Sequence, residues 1–436
     1  MNKKILTGIW FVLLLYGCKH NTEVPEPLPE NITCLPDVED RYEFPITPGS
    51  DEWDSLEPEE LIQASQLPDD VLKKISTAGL IRSFWDVAVI AERYTDFYEF
   101  GYNEGDFYFW LCPSINSVQE LFKRKDAGEA LIGILESISL DCMEKMTVNE
   151  REFFSDRYNA LLTLFIKKEV TDQLNEAYRN KLVDLLMFNV NRTRELKLDG
   201  FRNDHSGEVM AYMMHTLLKD QLDEQFPTCD ELIISDRECL PDIADMHIYP
   251  EMPWSEVYTY QIPDDVLENM STFGLIRSCL DYPLLRTEWY ASSEIGAIYN
   301  INRTFSRRNV ARELYSRNDA SEALLRYYHA IGFDCVEQRN KLMIALDFPV
   351  QITAVAVFMT QEEISQQLDK KKAVALILSK YGQMQVFGNL ILHGGSHEAM
   401  YDIMLKAQYQ PIMDHSENPY YYNQNEVISL AINFIR

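Results

Sequence analysis

Basic residues are in short supply. The 436-residue chain sets 40 Lys and Arg against 69 Asp and Glu, a formal net charge of -29 at pH 7. Such a field repels phosphate backbones and anionic headgroups. The two runs of three consecutive cations, Lys123-Arg124-Lys125 and Lys370-Lys371-Lys372, are too short to reverse it, so nucleic acid is not an expected partner. Glycine is sparse as well, with 17 residues. None of them forms a phosphate-cradling loop followed by Lys and Ser or Thr, none forms a G-x-S-x-G elbow, and no C-x-x-C pair occurs. The sequence therefore implies no cofactor and offers no nucleotide, serine-hydrolase or thiol-redox signature. Long apolar runs are missing too. The one at the start, Ile5 to Tyr16, is shorter than the about 20 helical residues that a bilayer core requires. Hydrophobic residues nevertheless make up 46% of the chain, enough to bury sizeable cores.

Lys3 and Lys4 precede that apolar run, and Gly17 and Cys18 follow it, which is the layout of a secretion signal. Leu15-Tyr16-Gly17-Cys18 resembles the bacterial lipobox, with Tyr16 bulkier than is usual there. The resemblance implies that residues 1–17 are removed and that Cys18, diacylated, becomes the mature N-terminus. Lys19 stands where enteric lipoproteins retained at the inner membrane carry Asp, so the expected address is the outer membrane, facing either the periplasm or the cell surface. The membrane is then reached through the lipid anchor alone. Residues 18–33 hold three prolines and three glutamates with little to bury, and read as an extended tether.

Self-similarity dominates the remainder. Leu67 to Asp86 aligns with Ile262 to Asp281 at 13 identities in 20 positions, and Ser117 to Cys142 aligns with Val310 to Cys335 at 11 in 26. Cys34-Leu35-Pro36-Asp37 recurs as Cys239-Leu240-Pro241-Asp242, while Glu169, Gln173 and Leu174 pair with Glu363, Gln367 and Leu368. Units of this length are whole domains rather than solenoid repeats. The expected organisation is a first repeat domain at 34–228 and a second at 229–436, the latter opening with a short linker at 229–238.

Both copies read as helical. Ser117, Asp126, Thr147, Asp319 and Thr360 are each followed three residues later by Glu, the capping-box pattern of a helix start. Phe154, Tyr158, Leu161, Leu162 and Phe165 fall on one helical face, matched by Phe348, Ile352, Val355, Ala356 and Met359. The segment VQITAVAVFM alone would pass for a strand, but its register with the first copy argues for helix. Arg82 and Asp86, like Arg277 and Asp281, stand four apart and suit an ion pair on one helix face. Gly79 and Gly274 interrupt helical patterns where close approach of a neighbouring helix would justify them. The expected fold class is all-α, with two tandem pseudo-equivalent multi-helix domains.

Candidate chemistry is thin. His393, His397 and Glu398 are weak metal ligands, because no helical H-E-x-x-H and no fixed third ligand accompany them; a turn capped by Ser396 explains the stretch as well. Asp69-Asp70 and Asp264-Asp265 can in principle serve a glycosidase, yet each follows a proline and suits the first turn of a helix. The cysteines suggest two disulfides, Cys34 with Cys142 and Cys239 with Cys335, each pinning a proline-rich leader, with reduced core cysteines as the alternative. What the copies share is explained by folding. What they do not share is the density of aromatics from Tyr94 to Trp110 in the first copy, which has only a thinner counterpart around Trp289, Tyr290 and Tyr299 in the second; Tyr98, Tyr102, Tyr108 and Trp110 can stack on a sugar or anchor a protein partner, or serve as core.

The repeated PDDVL and STxGLIRS elements resemble those of duplicated helical lipoproteins of Bacteroidota. The resemblance covers most of the mature chain and implies an envelope address without an activity. The function expected from the sequence is a non-enzymatic binding or scaffold module of the cell envelope, its ligand a glycan or an envelope protein. The alternative is an envelope hydrolase, for example a glycan-directed one, using acidic residues in a cleft between the copies. The intact mass of the membrane fraction is expected to show a diacylglyceryl-cysteine N-terminus at Cys18; a soluble mature protein beginning elsewhere would contradict the lipobox reading.

Overall fold

Helical spacing of apolar residues becomes helical packing throughout the computed structural model, which describes residues 34–35, 38–48, 50–88, 114–201, 203–226, 260–282, 285, 297–331, 341–385, 396–409 and 423–436. No strand occurs among the described residues, and the chain is all-α. In the first copy the principal helices are α1 (Thr77–Val87), α2 (Asn116–Leu121), α3 (Ala127–Ser137), α4 (Val148–Thr163), α5 (Glu176–Leu196) and α6 (Asp204–Gln225). The second copy presents α7 (Thr272–Leu280), α8 (Asn309–Ser316), α9 (Ala320–Ala330), α10 (Lys341–Met359), α11 (Lys370–Gln385) and α12 (Ser396–Lys406) in the same order, and α13 (Gln424–Ile435) closes the chain.

The two copies repeat their stitching hydrogen bond by hydrogen bond. Asn116 at the start of α2 exchanges side-chain bonds with the backbone of Leu67 (2.9 and 2.8 Å), and Asn309 at the start of α8 does the same with Ile262 (3.2 and 2.6 Å). Arg124 donates to the Leu72 carbonyl at 3.1 Å and Arg317 to the Leu267 carbonyl at 3.2 Å. Ser76 caps α1 by accepting from the Gly79 amide, as Ser271 caps α7 by accepting from the Gly274 amide. These bonds satisfy helix-end groups that would otherwise lie unpaired.

Some expected caps serve other ends. Thr147 and Glu150 form the full capping box of α4. Asp126 and Asp319 do occupy N-cap positions, but each carboxylate accepts instead from a threonine at the start of α1 or α7, Thr77 at 2.8 Å and Thr272 at 2.7 Å, so both acids join helices rather than cap them. Ser117 lies buried inside α2, whose N-cap is Ile115. Thr360 ends α10 with its hydroxyl bonded back to the Val357 carbonyl at 2.7 Å, and the following helical turn starts from Gln361. Local serine and threonine patterns of this kind compete with back-bonding one turn earlier. At Gly79 it is the Asp40 carboxylate, not a helix, that approaches: a Cβ there would sit 2.5 Å from Asp40 Oδ1, which accepts from the Ser76 hydroxyl at 2.8 Å.

Phe154, Tyr158, Leu161 and Leu162 are buried on α4, and Phe165 is buried in the 3-10 turn that continues it. Ile352, Val355, Ala356 and Met359 are buried on α10. The β-branched VQITAVAVFM is helical because residues 352–359 are enclosed on every side, and burial outweighs a propensity penalty of a few tenths of a kcal/mol per residue. A disulfide joins Cys34 to Cys142 with 5.8 Å between Cα atoms, tying the leader to the turn after α3. Cys239 and Cys335 lie outside the described residues. Cys279 is a free thiol buried in α7, and burial pushes its pKa up, which keeps it protonated.

The copies share one continuous apolar core. Helix α6 of the first packs along α11 of the second, and α13 lies against α5, α6, α11 and α12. Gly382 on α11 makes the crossing possible, since a Cβ there would overlap the Ala211 carbonyl and sit 2.8 Å from the Tyr212 nitrogen. Asn425 of α13 accepts from the Gly207 amide at 2.6 Å and donates to the Asn203 carbonyl. At the far end Arg436 bonds Asp184 and Asn180 of α5.

Two outcomes follow from this crossing. Gly382→Ala is expected to destabilise the protein by about 1–3 kcal/mol in urea unfolding, because overpacking against backbone outweighs the about 1 kcal/mol that Ala gains over Gly in a helix; a neutral or stabilising result would mean that α6 and α11 do not cross here. His215 on α6 lies 2.9 Å from the Ser379 hydroxyl on α11, and burial first, then Lys380 and Lys219, lower its pKa from 6.5 to about 4 against the opposing pull of Asp223. Folded protein thus refuses a proton that unfolded chain accepts. The stability tied to the neutral ring is complete above pH 6.5 and is lost as pH falls toward about 4, by at most about 3 kcal/mol. Unfolding midpoints measured from pH 7 to 4.5 should fall less steeply for His215→Gln than for wild type.

Candidate functional site

One helical turn separates Arg82 from Asp86 on α1, as it separates Arg277 from Asp281 at α7, so the sequence places the same ion pair in both copies. The two pairs differ in geometry. In the second copy the pair is closed, Arg277 Nε donating to both carboxylate oxygens of Asp281 at 2.9 and 3.1 Å. In the first it is open, with Arg82 Nη2 and Asp86 Oδ1 3.8 Å apart, beyond hydrogen-bond length. Arg41 from the leader takes up a place on the other carboxylate oxygen at 3.6 Å.

A third guanidinium, Arg157 on α4, completes the cluster. Its helix packs against α1, and the Phe154 ring one turn earlier lies edge-on to Trp85, with centroids 5.1 Å apart. Arg157 is largely buried, and its Nε has no hydrogen-bond partner. Burial lowers its pKa, the nearby Asp86 carboxylate raises it and Arg82 lowers it again. Asp86 feels the reverse: burial raises its carboxyl above the usual range while Arg82, Arg41 and Arg157 oppose that rise. By the register of Phe154 with Phe348, the second copy carries Gln351 in place of Arg157. The first copy therefore gathers three guanidinium groups around one carboxylate, in a chain that is otherwise strongly acidic.

This cluster stands at the end of α1, and Asp86 precedes Tyr94 by eight residues in sequence. Tyr98, Tyr102, Tyr108 and Trp110 themselves lie outside the described residues, as do Cys18 and His393. His397 is half-buried and Glu398 buried in the first turn of α12, and among the described residues no group of three or more His, Cys, Asp or Glu side chains is placed to hold a metal ion. Asp69, Asp70, Asp264 and Asp265 are exposed first-turn residues of the helices Asp69–Leu72 and Asp264–Asn269. They face water and serve the helix ends.

A second buried polar group sits where α4, α5, α6 and α13 meet. His205 Nδ1 and Glu208 Oε2 lie 2.6 Å apart, the Tyr158 hydroxyl accepts from Asn189 at 3.0 Å, and Asn159 accepts from the His205 amide at 3.4 Å. Burial pushes the Tyr158 pKa up to about 12, so the phenol stays neutral. Asn159 and Asn425 between them satisfy the first amides of α6, which makes this network a joint between helices.

Sequence reasoning missed Arg157, since a lone arginine on a helix belongs to no motif. Its only sequence signal is the difference between the copies at an aligned position, Arg157 against Gln351. The chain matches no family model, no curated protein and no solved structure.

Proposed function

We propose that the chain is a lipid-anchored protein of the outer membrane that acts as a non-enzymatic binding or scaffold module, capturing a glycan or an envelope partner through the first copy. The observation that carries this reading is a coincidence of asymmetries. The aromatic concentration from Tyr94 to Trp110 and the opened, arginine-enriched ion pair at Asp86 both belong to the first copy, and they adjoin each other in sequence. Rings supply apolar faces for sugars or for a protein pocket, and charged groups supply selectivity. Cys18 supplies the anchor, and among the described residues no helix is long and apolar enough to cross a membrane. The hydrolase alternative draws on Asp86, whose carboxyl is raised by burial, but Asp86 faces arginines rather than the second carboxyl a glycosidase requires.

The test is binding of purified envelope polysaccharides to wild type and to the double variant Tyr102→Ala, Trp110→Ala. The expected outcome is at least about a tenfold loss of affinity with a stability change of under about 0.5 kcal/mol, the usual effect of surface substitutions. Unchanged binding together with a large drop in thermal midpoint would identify these rings as core and remove them from the proposal.

A further inference from the structure

Along α5 the side chains left in solvent form a seam. Lys181, Asp184, Phe188, Asn191 and Glu195 are all exposed, and they recur at alternating intervals of three and four residues, the spacing of a helix face that lies along another helix. The opposite side of α5 is buried through Leu182, Val183, Leu186 and Val190. In the second copy the aligned face of α11 runs through Ala375, Leu378 and Gly382, and α6 crosses it at Gly382. The face that meets a helix in one copy is therefore open in the other, with a phenylalanine at its centre and charges on either side.

We infer that this face pairs with the same face of a second copy of the chain, the two α5 helices running antiparallel about a two-fold axis at Phe188. In such a pair, residues equally far before and after Phe188 lie opposite each other. Seven residues before it stands Lys181 and seven after it Glu195; four before it stands Asp184 and four after it Arg192. Both pairings join opposite charges, and the axis repeats each of them. A parallel pairing in register would instead set every charge against its own kind. The seam is also neutral, two cations against two anions, in a chain whose net charge of -29 makes most encounters between copies repulsive. Each charged side chain is already held by a partner in its own chain: Lys181 by Glu136 at 2.8 Å, Arg192 by Asp141 at 2.7 Å and Glu195 at 3.0 Å, and Asp184 by Arg436. Little side-chain freedom is then lost on pairing, and all four keep exposed atoms with which to meet a second partner. Two Phe188 rings meeting at the axis supply the apolar contact. A pairing of this kind closes on itself at two chains. It goes beyond the glycan reading, since neither the aromatic segment nor the lipid anchor enters it.

Sedimentation equilibrium of the full mature chain in a density-matched detergent, from low micromolar to submillimolar concentration, tests the pairing. Wild type should follow a monomer–dimer equilibrium. Phe188→Glu should weaken the dimer at least about a hundredfold, because one substitution alters both sides of the axis. Its thermal midpoint should stay close to that of wild type, as expected at an exposed position. Lys181→Glu and Glu195→Lys should each weaken the dimer about tenfold, and the two together in one chain should restore it. Contacts within the chain predict no such rescue, since Lys181 bonds Glu136 rather than Glu195. A wild type that stays monomeric throughout overturns the inference. A dimer that Phe188→Glu leaves intact overturns this face as its site, and one that the charge exchange fails to restore overturns the antiparallel register. Growth beyond two chains would overturn the closed two-fold contact. Should Phe188→Glu lose its fold, oxidative cross-linking of mixed Lys181→Cys and Glu195→Cys chains decides instead: the mixture should yield a cross-linked dimer that neither variant forms alone, and failure to do so overturns the pairing.

Discussion

Where α6 crosses α11, the backbone at Ala211 and Tyr212 occupies the space that a side chain at position 382 would need. Everything about the joint follows from that approach. Helices this close exclude water along their whole contact, so Val209, Met210, Ala211 and Met213 on one side and Val374, Ile377, Leu378 and Tyr381 on the other are buried without remainder. Burial on that scale leaves no room for a charged imidazole, which is why His215 sits neutral against Ser379. It also leaves the N-terminus of α6 in a dry setting where its amides must find protein partners, and α13 and α4 supply them through Asn425 and Asn159.

The same crossing separates the fates of two helices that the sequence aligns. Helices α5 and α11 occupy equivalent places in their copies, and Phe188 aligns with Gly382 through the register of Leu174 with Leu368. Phe188 is 63% exposed. A ring at that point would bar another helix from the approach that Gly382 permits, and the neighbouring Asp184 and Asn180 are engaged by Arg436 instead. The contact that joins the copies is of head-to-tail type, which repeats indefinitely unless something closes it. Phe188, Asp184 and the covering helix α13 make the ends of this array unlike its middle, as terminal units of repeat proteins generally are.

Much of the fold was legible in the sequence because duplication supplies its own control. Helix over VQITAVAVFM is ambiguous from the residues alone, and the aligned face from Phe154 to Phe165 resolved it. Capping patterns were less reliable, since a three-residue spacing records only that two side chains can meet a helix start. Asp126 and Asp319 answer to threonines brought up by tertiary packing, and Thr360 to the helix behind it, neither of which a local window contains. Gly382 was invisible for a similar reason: the cost of a helical glycine is local, whereas its justification is a backbone more than 150 residues away. The Arg82 and Asp86 spacing announced an ion pair correctly, but not that the first copy would hold it open.

That last difference shows how a duplicated fold frees residues to change. The bonds through Asn116 and Asn309, Arg124 and Arg317, Thr77 and Thr272 recur because each copy must close the same helix ends, and losing one leaves a buried group unpaired at about 1–3 kcal/mol. Position 157 is not held in this way, since the aligned residue of the second copy is Gln351. Gathering positive charge at Asp86 works against desolvation, visible in the lowered pKa of Arg157 and the raised one of Asp86. The closed pair of the second copy and the three-arginine grouping of the first are thus two solutions on the same helix pair.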